Sequence, residues 1–189
     1  MNEQWSVFEI WLETHWPEGR KGLNPPATEQ EIDALEQALG TALPDDYKAC
    51  LRVHNGQDTY SGGLFENAEF LSTHAVQEQW EIWQSLLSDG QFEGIQSSPE
   101  DGIKDDWWNA KWIPFTHNGG GDHYCLDLDL DPATGGQYGQ IITMWHDMDE
   151  REKLSSSFAN WFQSYVSDVI AGKYVYSDEY GGLTPIDEL

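Results

Sequence analysis

Two β-rich runs, His123-Tyr124-Cys125-Leu126-Asp127-Leu128 and Gln140-Ile141-Ile142-Thr143-Met144-Trp145, are joined by a Pro- and Gly-rich connection and bracketed by segments of helical spacing. Paired runs of this kind predict an antiparallel hairpin. Ahead of them, Trp5, Phe8 and Leu12 recur at helical spacing until Pro17. Residues 19–26 (GRKGLNPP) read as a loop, because the Pro pair disfavours helix before it. Thr28-Glu29-Gln30-Glu31 is a capping box that opens a helix with the stripe Ile32, Leu35, Leu39 and a stop at Gly40. Pro44 begins another helix, with Tyr47, Cys50, Leu51 and His54 on one face and Asn55-Gly56 as its end. Val76, Trp80, Trp83 and Leu87 predict a helix over 73–87.

Leu64-Phe65 and Phe70-Leu71 read as short strands. Trp112-Ile113-Pro114-Phe115 reads as an edge strand, since it contains Pro. Ser155–Ser157 offer N-caps for a closing helix with Phe158, Phe162, Tyr165 and Val169 inward and Gly172 at its end. An aromatic tail (Tyr174, Tyr176, Tyr180) follows. The expectation is an α+β fold: one domain over 1–189, with a central, mainly antiparallel or mixed sheet flanked by four to five helices.

Charge narrows the function. The chain carries 34 Asp plus Glu against nine Lys plus Arg, a formal charge of −25. The excess is spread evenly, with 17 acids and 4 bases in residues 1–95 and 17 acids and 5 bases in 96–189. Ten Trp and an aromatic content of 13 % set it apart from a disordered acidic chain. Nucleic acid and anionic membranes are poor partners for such a surface, and a basic protein is a good one. Self-repulsion favours a monomer. The acidic N-terminus lacks a signal or spanning pattern, and Cys50 and Cys125 fall on apolar faces as buried free thiols. Both point to the cytoplasm.

No catalytic constellation emerges. Asp127-x-Asp129-x-Asp131 lacks the Gly and Glu of a calcium loop, having Pro132 and Tyr138 instead. As a strand it puts the aspartates on a solvent face and Leu126, Leu128 and Leu130 in the core. The glycines of His117-Asn118-Gly119-Gly120-Gly121-Asp122 read as a tight turn, with neither a dinucleotide fingerprint nor a Walker lysine. A hairpin centred on Thr134-Gly135 places His123 opposite His146, near Asp122 and Asp147. Two histidines with carboxylates suit zinc, but no metal-binding spacing accompanies them, so no metal or cofactor is expected. The segment 98–108 joins Glu100, Asp101, Asp105 and Asp106 to Trp107 and Trp108. Either one indole is exposed as an anchor for a basic partner, or both pack under a long loop.

Four segments in order resemble one family: LGTALPDDYKACLRVHNGQ (39–57), WWNAKWIPFTHNGGGDHYCLDLDLDP (107–132), GGQYGQIITMWHD (135–147) and SSFANWF (156–162). They are similar to the Smi/Knr cell-wall assembly regulators of the SUKH superfamily, over about residues 27–170. Residues 1–26 form an extra helix and loop, and 173–189 a C-terminal tail. The doubled LDLDLDP departs from a single run and touches the hairpin register. The resemblance implies an α+β domain without established catalysis. Bacterial relatives act as immunity proteins that neutralise toxins, often nucleases, and fungal ones regulate cell-wall synthesis through protein contacts. Fungal members carry long disordered flanks that these residues lack, which points the expectation to a bacterial immunity protein occluding a basic toxin domain. A regulatory scaffold or adaptor is the alternative.

Overall fold

The computed structural model describes residues 1–189. The helices are α1 (Asn2–His15), α2 (Pro17–Lys21), α3 (Glu29–Leu39), α4 (Asp45–Leu51), α5 (Thr73–Ser88) and α6 (Phe158–Ile170). The strands are β1 (Glu69–Phe70), β2 (Ser98–Pro99), β3 (Trp112–Pro114), β4 (Thr116–His117), β5 (His123–Asp127), β6 (Gln140–Met144), β7 (Glu150–Arg151), β8 (Lys153–Ser155), β9 (Tyr174–Ser177) and β10 (Gly182–Pro185). The central sheet runs in the order β3-β5-β6-β8 and is antiparallel throughout, and the Pro-containing β3 takes an edge as expected. The one parallel strand pair, β2 with β7, lies outside it. This is an α+β domain. No helix is long and apolar enough to cross a membrane.

Local signals produce the helices. Thr28 caps α3 reciprocally: its hydroxyl accepts from the Glu31 amide (3.2 Å) and its own amide donates to the Glu31 carboxylate (2.7 Å). Gly40 then ends the helix in the left-handed region at φ 63°. Thr28→Ala is expected to cost about 1 kcal/mol, because the Glu31 amide loses its acceptor and the Glu31 carboxylate loses the Thr28 hydroxyl. A urea titration checks this, and an unchanged midpoint would show that the cap contributes nothing. Ser157 caps α6 without the reciprocal bond, its hydroxyl accepting from the Asn160 amide (3.2 Å), and Phe158, Phe162, Tyr165 and Val169 all turn inward.

The sheet has a core on each face. Ile113, Phe115, Tyr124, Leu126 and Ile141 join the main cluster, which takes in α1, α3, α4 and α6 and includes Trp5, Phe8, Phe65, Phe162 and Leu183. Trp112, Cys125, Ile142 and Met144 face the other way, into a smaller cluster with Trp83 of α5, Ile103 and Trp108.

The second core corrects one expectation. Asp127 does not lie on a solvent face; it is wholly buried, because α5 and the segment 98–112 cover that side of the sheet. Its carboxylate accepts from Gln140 Nε2 (2.8 Å) and the Asp129 amide (2.9 Å), and burial raises its pKa despite these bonds. Leu126 and Leu128 are buried, whereas Leu130 lies past the end of β5 and is half-buried. The register also shifts. His123 pairs with Met144, not His146, so the hairpin centre falls one residue earlier than Thr134-Gly135. Pro17–Lys21 forms a short helix that overlaps the expected loop, because Pro17 suits a first helical turn. The aromatic tail is in fact the hairpin β9/β10.

Candidate functional site

The acidic segment is less open than its sequence suggests. Glu100 and Asp101 are exposed, yet a Glu100 oxygen accepts from the Lys153 amide at 2.8 Å. Asp105 accepts from Gln96 Nε2 (3.1 Å) and Asp106 from Asn109 Nδ2 (2.6 Å). Trp108 is buried in the second core. Trp107 is half-buried, its ring centroid 5.2 Å from the Arg151 guanidinium. The structure brings these six residues onto one segment but does not gather them into a pocket.

A cleft of about 210 Å³ lies elsewhere, lined by Glu66, Asn118, Asp122, Tyr124, Trp145 and Glu188 among others. The turn at Phe65–Ala68 builds one wall. Its central residues Glu66 and Asn67 both have left-handed backbones, with φ 51° and 63°. Asn tolerates that conformation, whereas Glu does so at a cost of order 1 kcal/mol or more. The Glu66 carboxylate accepts hydroxyl hydrogen bonds from Tyr124 on β5 and Tyr174 on β9. Burial and this anion push both phenols well above their ordinary range, so they remain donors.

The opposite wall is the glycine loop. Asn118 Oδ1 accepts from the amides of Gly120 (2.8 Å) and Asp122 (3.1 Å), and its Nδ2 donates to Asp122 (2.7 Å). Asp122 also accepts from the His146 amide and from its Nδ1, both at 2.9 Å. Burial alone raises the Asp122 carboxyl, but the bonds from His146 and Asn118 outweigh it and hold the pKa below the usual value. The same contact raises His146. His123, by contrast, is buried and points away from His146. Its Nδ1 donates to the Thr116 carbonyl (2.7 Å) and its Nε2 accepts from the Trp83 indole (3.0 Å). Burial pushes its pKa down to about 4, which keeps it neutral near pH 7. The pairing of two histidines expected from sequence is thus replaced by His146 between Asp122 and Asp147.

Neither thiol is a nucleophile here. Cys50 and Cys125 are both free and buried, and burial raises both thiols far above their ordinary range. The cleft's chemistry is that of recognition: acidic oxygens, one carboxamide and two aromatic faces. Sequence reasoning missed Glu66, because its partners lie 58 and 108 residues along the chain. The Glu66-Asn67 pair inside a turn was the available signal. The Asn118–Asp122 loop was legible as a turn only.

Comparison with known proteins places this geometry. A model described as the SMI1 / KNR4 family (SUKH-1) matches residues 26–164. The chain is 23 % identical over 211 residues to the cell wall assembly regulator SMI1 of Saccharomyces cerevisiae, covering 93 % of this chain and 41 % of that protein. It is 25 % identical over 197 residues to the cell wall biosynthesis/cell cycle regulator smi1 of Schizosaccharomyces pombe, covering 97 % and 39 %. Human F-box only protein 3 is 26 % identical over 187 residues, covering 92 % and 35 %. The chain therefore spans about two fifths or less of the length of these relatives. They are fungal and mammalian, and they lend no support to a bacterial immunity role. The family match covers most of the chain, and this protein belongs to the SMI1/KNR4 (SUKH-1) family.

Proposed function

We propose that this chain is a non-enzymatic, cytoplasmic regulatory domain that binds a basic segment of a partner protein at the cleft between the Phe65–Ala68 turn and the Asn118–Asp122 loop. One observation carries the reading: Glu66, Asp122 and Glu188 line the cleft, and neither Lys nor Arg does. A Lys or Arg side chain entering it meets carboxylates at the rim and the Tyr124 and Trp145 rings beside them, a combination that suits a cation on both counts. The overall charge of −25 steers such a partner in. The exposed Glu100, Asp101 and Asp105 lie outside the cleft and add to that field. The names of the two fungal relatives, a cell wall assembly regulator and a cell wall biosynthesis regulator, favour regulation over toxin neutralisation.

Affinity capture from the protein's own cells at about 50 mM and 500 mM salt tests this, since screening differs strongly between the two. The expected result is a basic partner retained at low salt, released at high salt, and held several-fold less well by Glu188→Lys and Trp145→Ala. A partner that is not basic, or that ignores both substitutions, overturns the reading. The same acidity suits an immunity protein, and recovery of one small basic toxin domain in equimolar yield would decide for that alternative.

A further inference from the structure

Three metal-ligating atoms meet at the end of the β5/β6 hairpin away from its turn. Asp122 immediately precedes β5, and His146 and Asp147 follow β6, so both loops leave neighbouring, hydrogen-bonded strands. Asp122, His146 and Asp147 each offer one donor atom, and these lie within 4.8 Å of one another. His146 Nδ1 is 2.9 Å from Asp122 Oδ1 and 3.8 Å from Asp147 Oδ1. Donors around a tetrahedral ion with bonds of about 2.0–2.1 Å stand about 3.3 Å apart, between those two distances. We propose that Asp122, His146 and Asp147 form a binding site for a divalent ion of the zinc class, with water in the remaining position.

The donor set selects the ion. One imidazole nitrogen with two carboxylate oxygens suits zinc and its first-row neighbours, whereas calcium and magnesium take more ligands and only oxygens. A second shell is in place: Asn118 Nδ2 holds the Asp122 oxygen that faces away from His146. Gly121, at φ 109°, lets the loop and the ring approach. A Cβ there would stand 3.2 Å from the Cβ of His146 and 3.7 Å from its Nδ1. His146 and Asp147 are exposed and Asp122 borders the cleft, so water can supply the remaining ligand. Without an ion, the Asp122–His146 hydrogen bond occupies the site, and the metal takes the place of the Nδ1 proton. The other His-carboxylate pairs, His54 with Glu9 and His74 with Glu78, each supply only two donors. The site shares Asp122 with the proposed partner cleft, but its test reads metal uptake and not partner retention.

The test uses the full chain after chelator treatment, titrated with Zn²⁺ by calorimetry and followed by ¹⁵N NMR of the histidine rings. The expected result is one ion per chain, a shift of the His146 Nδ1 resonance, and binding at least tenfold weaker in His146→Gln and Asp147→Asn. Both side chains are solvent-accessible, so these variants keep the fold. Asn118→Ala is expected to weaken binding about tenfold, because it removes the second-shell bond to Asp122 together with the bonds that hold the Gly120–Asp122 loop. No uptake of zinc, equal uptake by the variants, or a shift at His74 instead of His146 overturns the proposal. Saturation by Mg²⁺ at the same concentration overturns the choice of ion.

Discussion

Arg151→Lys is expected to destabilise the protein by about 3 kcal/mol, lowering Tm by about 10 °C, although the charge is retained. Arg151 is wholly buried and has no carboxylate within ion-pair distance, in a chain with 25 more acids than bases. Three carbonyls solvate it instead. Nη1 donates to Met148 and Glu150, and Nη2 to Trp107, each at 2.7 Å. The guanidinium also lies over Trp107 and Trp112, with ring centroids 5.2 and 5.9 Å away. Desolvation pulls its pKa down, but from so high a value that the group stays charged.

A lysine ammonium can follow the same path, but it lacks the flat fork that reaches carbonyls on two segments and stacks on two rings. Arg151→Ala removes the ion and leaves those carbonyls unmet in the second core, with an expected loss of about 3–5 kcal/mol. Urea unfolding of both variants measures this. A Lys variant within about 1 kcal/mol of the parent would show that charge alone suffices.

This rivet also governs the acidic segment. The Ser98 amide donates to the Asp149 carbonyl and the Glu100 amide to the Arg151 carbonyl, so β7 and the Arg151 side chain together hold residues 98–107 on the body. Loosening Arg151 therefore alters how Glu100 and Asp101 are presented without changing either side chain.

What could be read from the sequence follows interaction range. Thr28 with Glu31, Gly40, and the spacing Phe158, Phe162, Tyr165, Val169 act within a few residues, and each forms the element it predicts. The two β runs paired because their composition left little else for them. Failures begin where a distant segment decides. Alternation correctly set Asp127 on the opposite face from Leu126, yet nothing local showed that Trp83, Trp108 and Ile103 would cover that face. The register depended on the connection. There Asp127 accepts from the Asp129 amide and Asp131 caps the turn Pro132–Thr134, so the two arms of the loop are unequal.

The candidate site was legible as pieces only. The aspartates and histidines were visible as residue types, but their grouping depends on a two-residue shift in pairing. Glu66 depends on a tyrosine in the tail. That dependence makes the C-terminal hairpin part of the site. Its continuation, the turn Ile186–Glu188, supplies the Glu188 that lines the cleft.

Gly63→Ala is expected to release that hairpin at a cost of about 3–5 kcal/mol, combining overpacking with lost burial of Leu183. Two chain segments meet here backbone to backbone. The Gly63 amide donates to the Gly181 carbonyl and the Leu183 amide to the Gly63 carbonyl, both at 2.9 Å, and the Asn67 amide donates to the Leu183 carbonyl at 3.1 Å. A Cβ on Gly63 would stand 2.0 Å from the Asn67 carbonyl carbon, and one on Gly182 would stand 2.5 Å from the Gly63 oxygen. Backbone cannot yield as a flexible side chain does, so one segment must move. Gly40→Ala is the control. Gly40, unlike Gly63, has a left-handed backbone, and nothing lies within 4 Å of an added Cβ there, so it bears only the conformational cost of about 1 kcal/mol.

Hydrogen exchange separates local release from global loss. In Gly63→Ala the amides of residues 63, 67 and 183 should lose protection together, while Leu126 and Ile142 in the central sheet keep theirs relative to global stability. Leu183 is fully buried, and Thr184 Oγ1 donates to Asn67 Oδ1 at 2.8 Å, so release also frees the turn that carries Glu66. The cleft then loses Glu188 and the Tyr174 contact to Glu66 in one step. Retention of a basic partner should fall further than with Glu188→Lys alone. If the Leu183 amide keeps its protection and stability falls by no more than in Gly40→Ala, the glycine contact does not hold the hairpin, and the cleft is built without it.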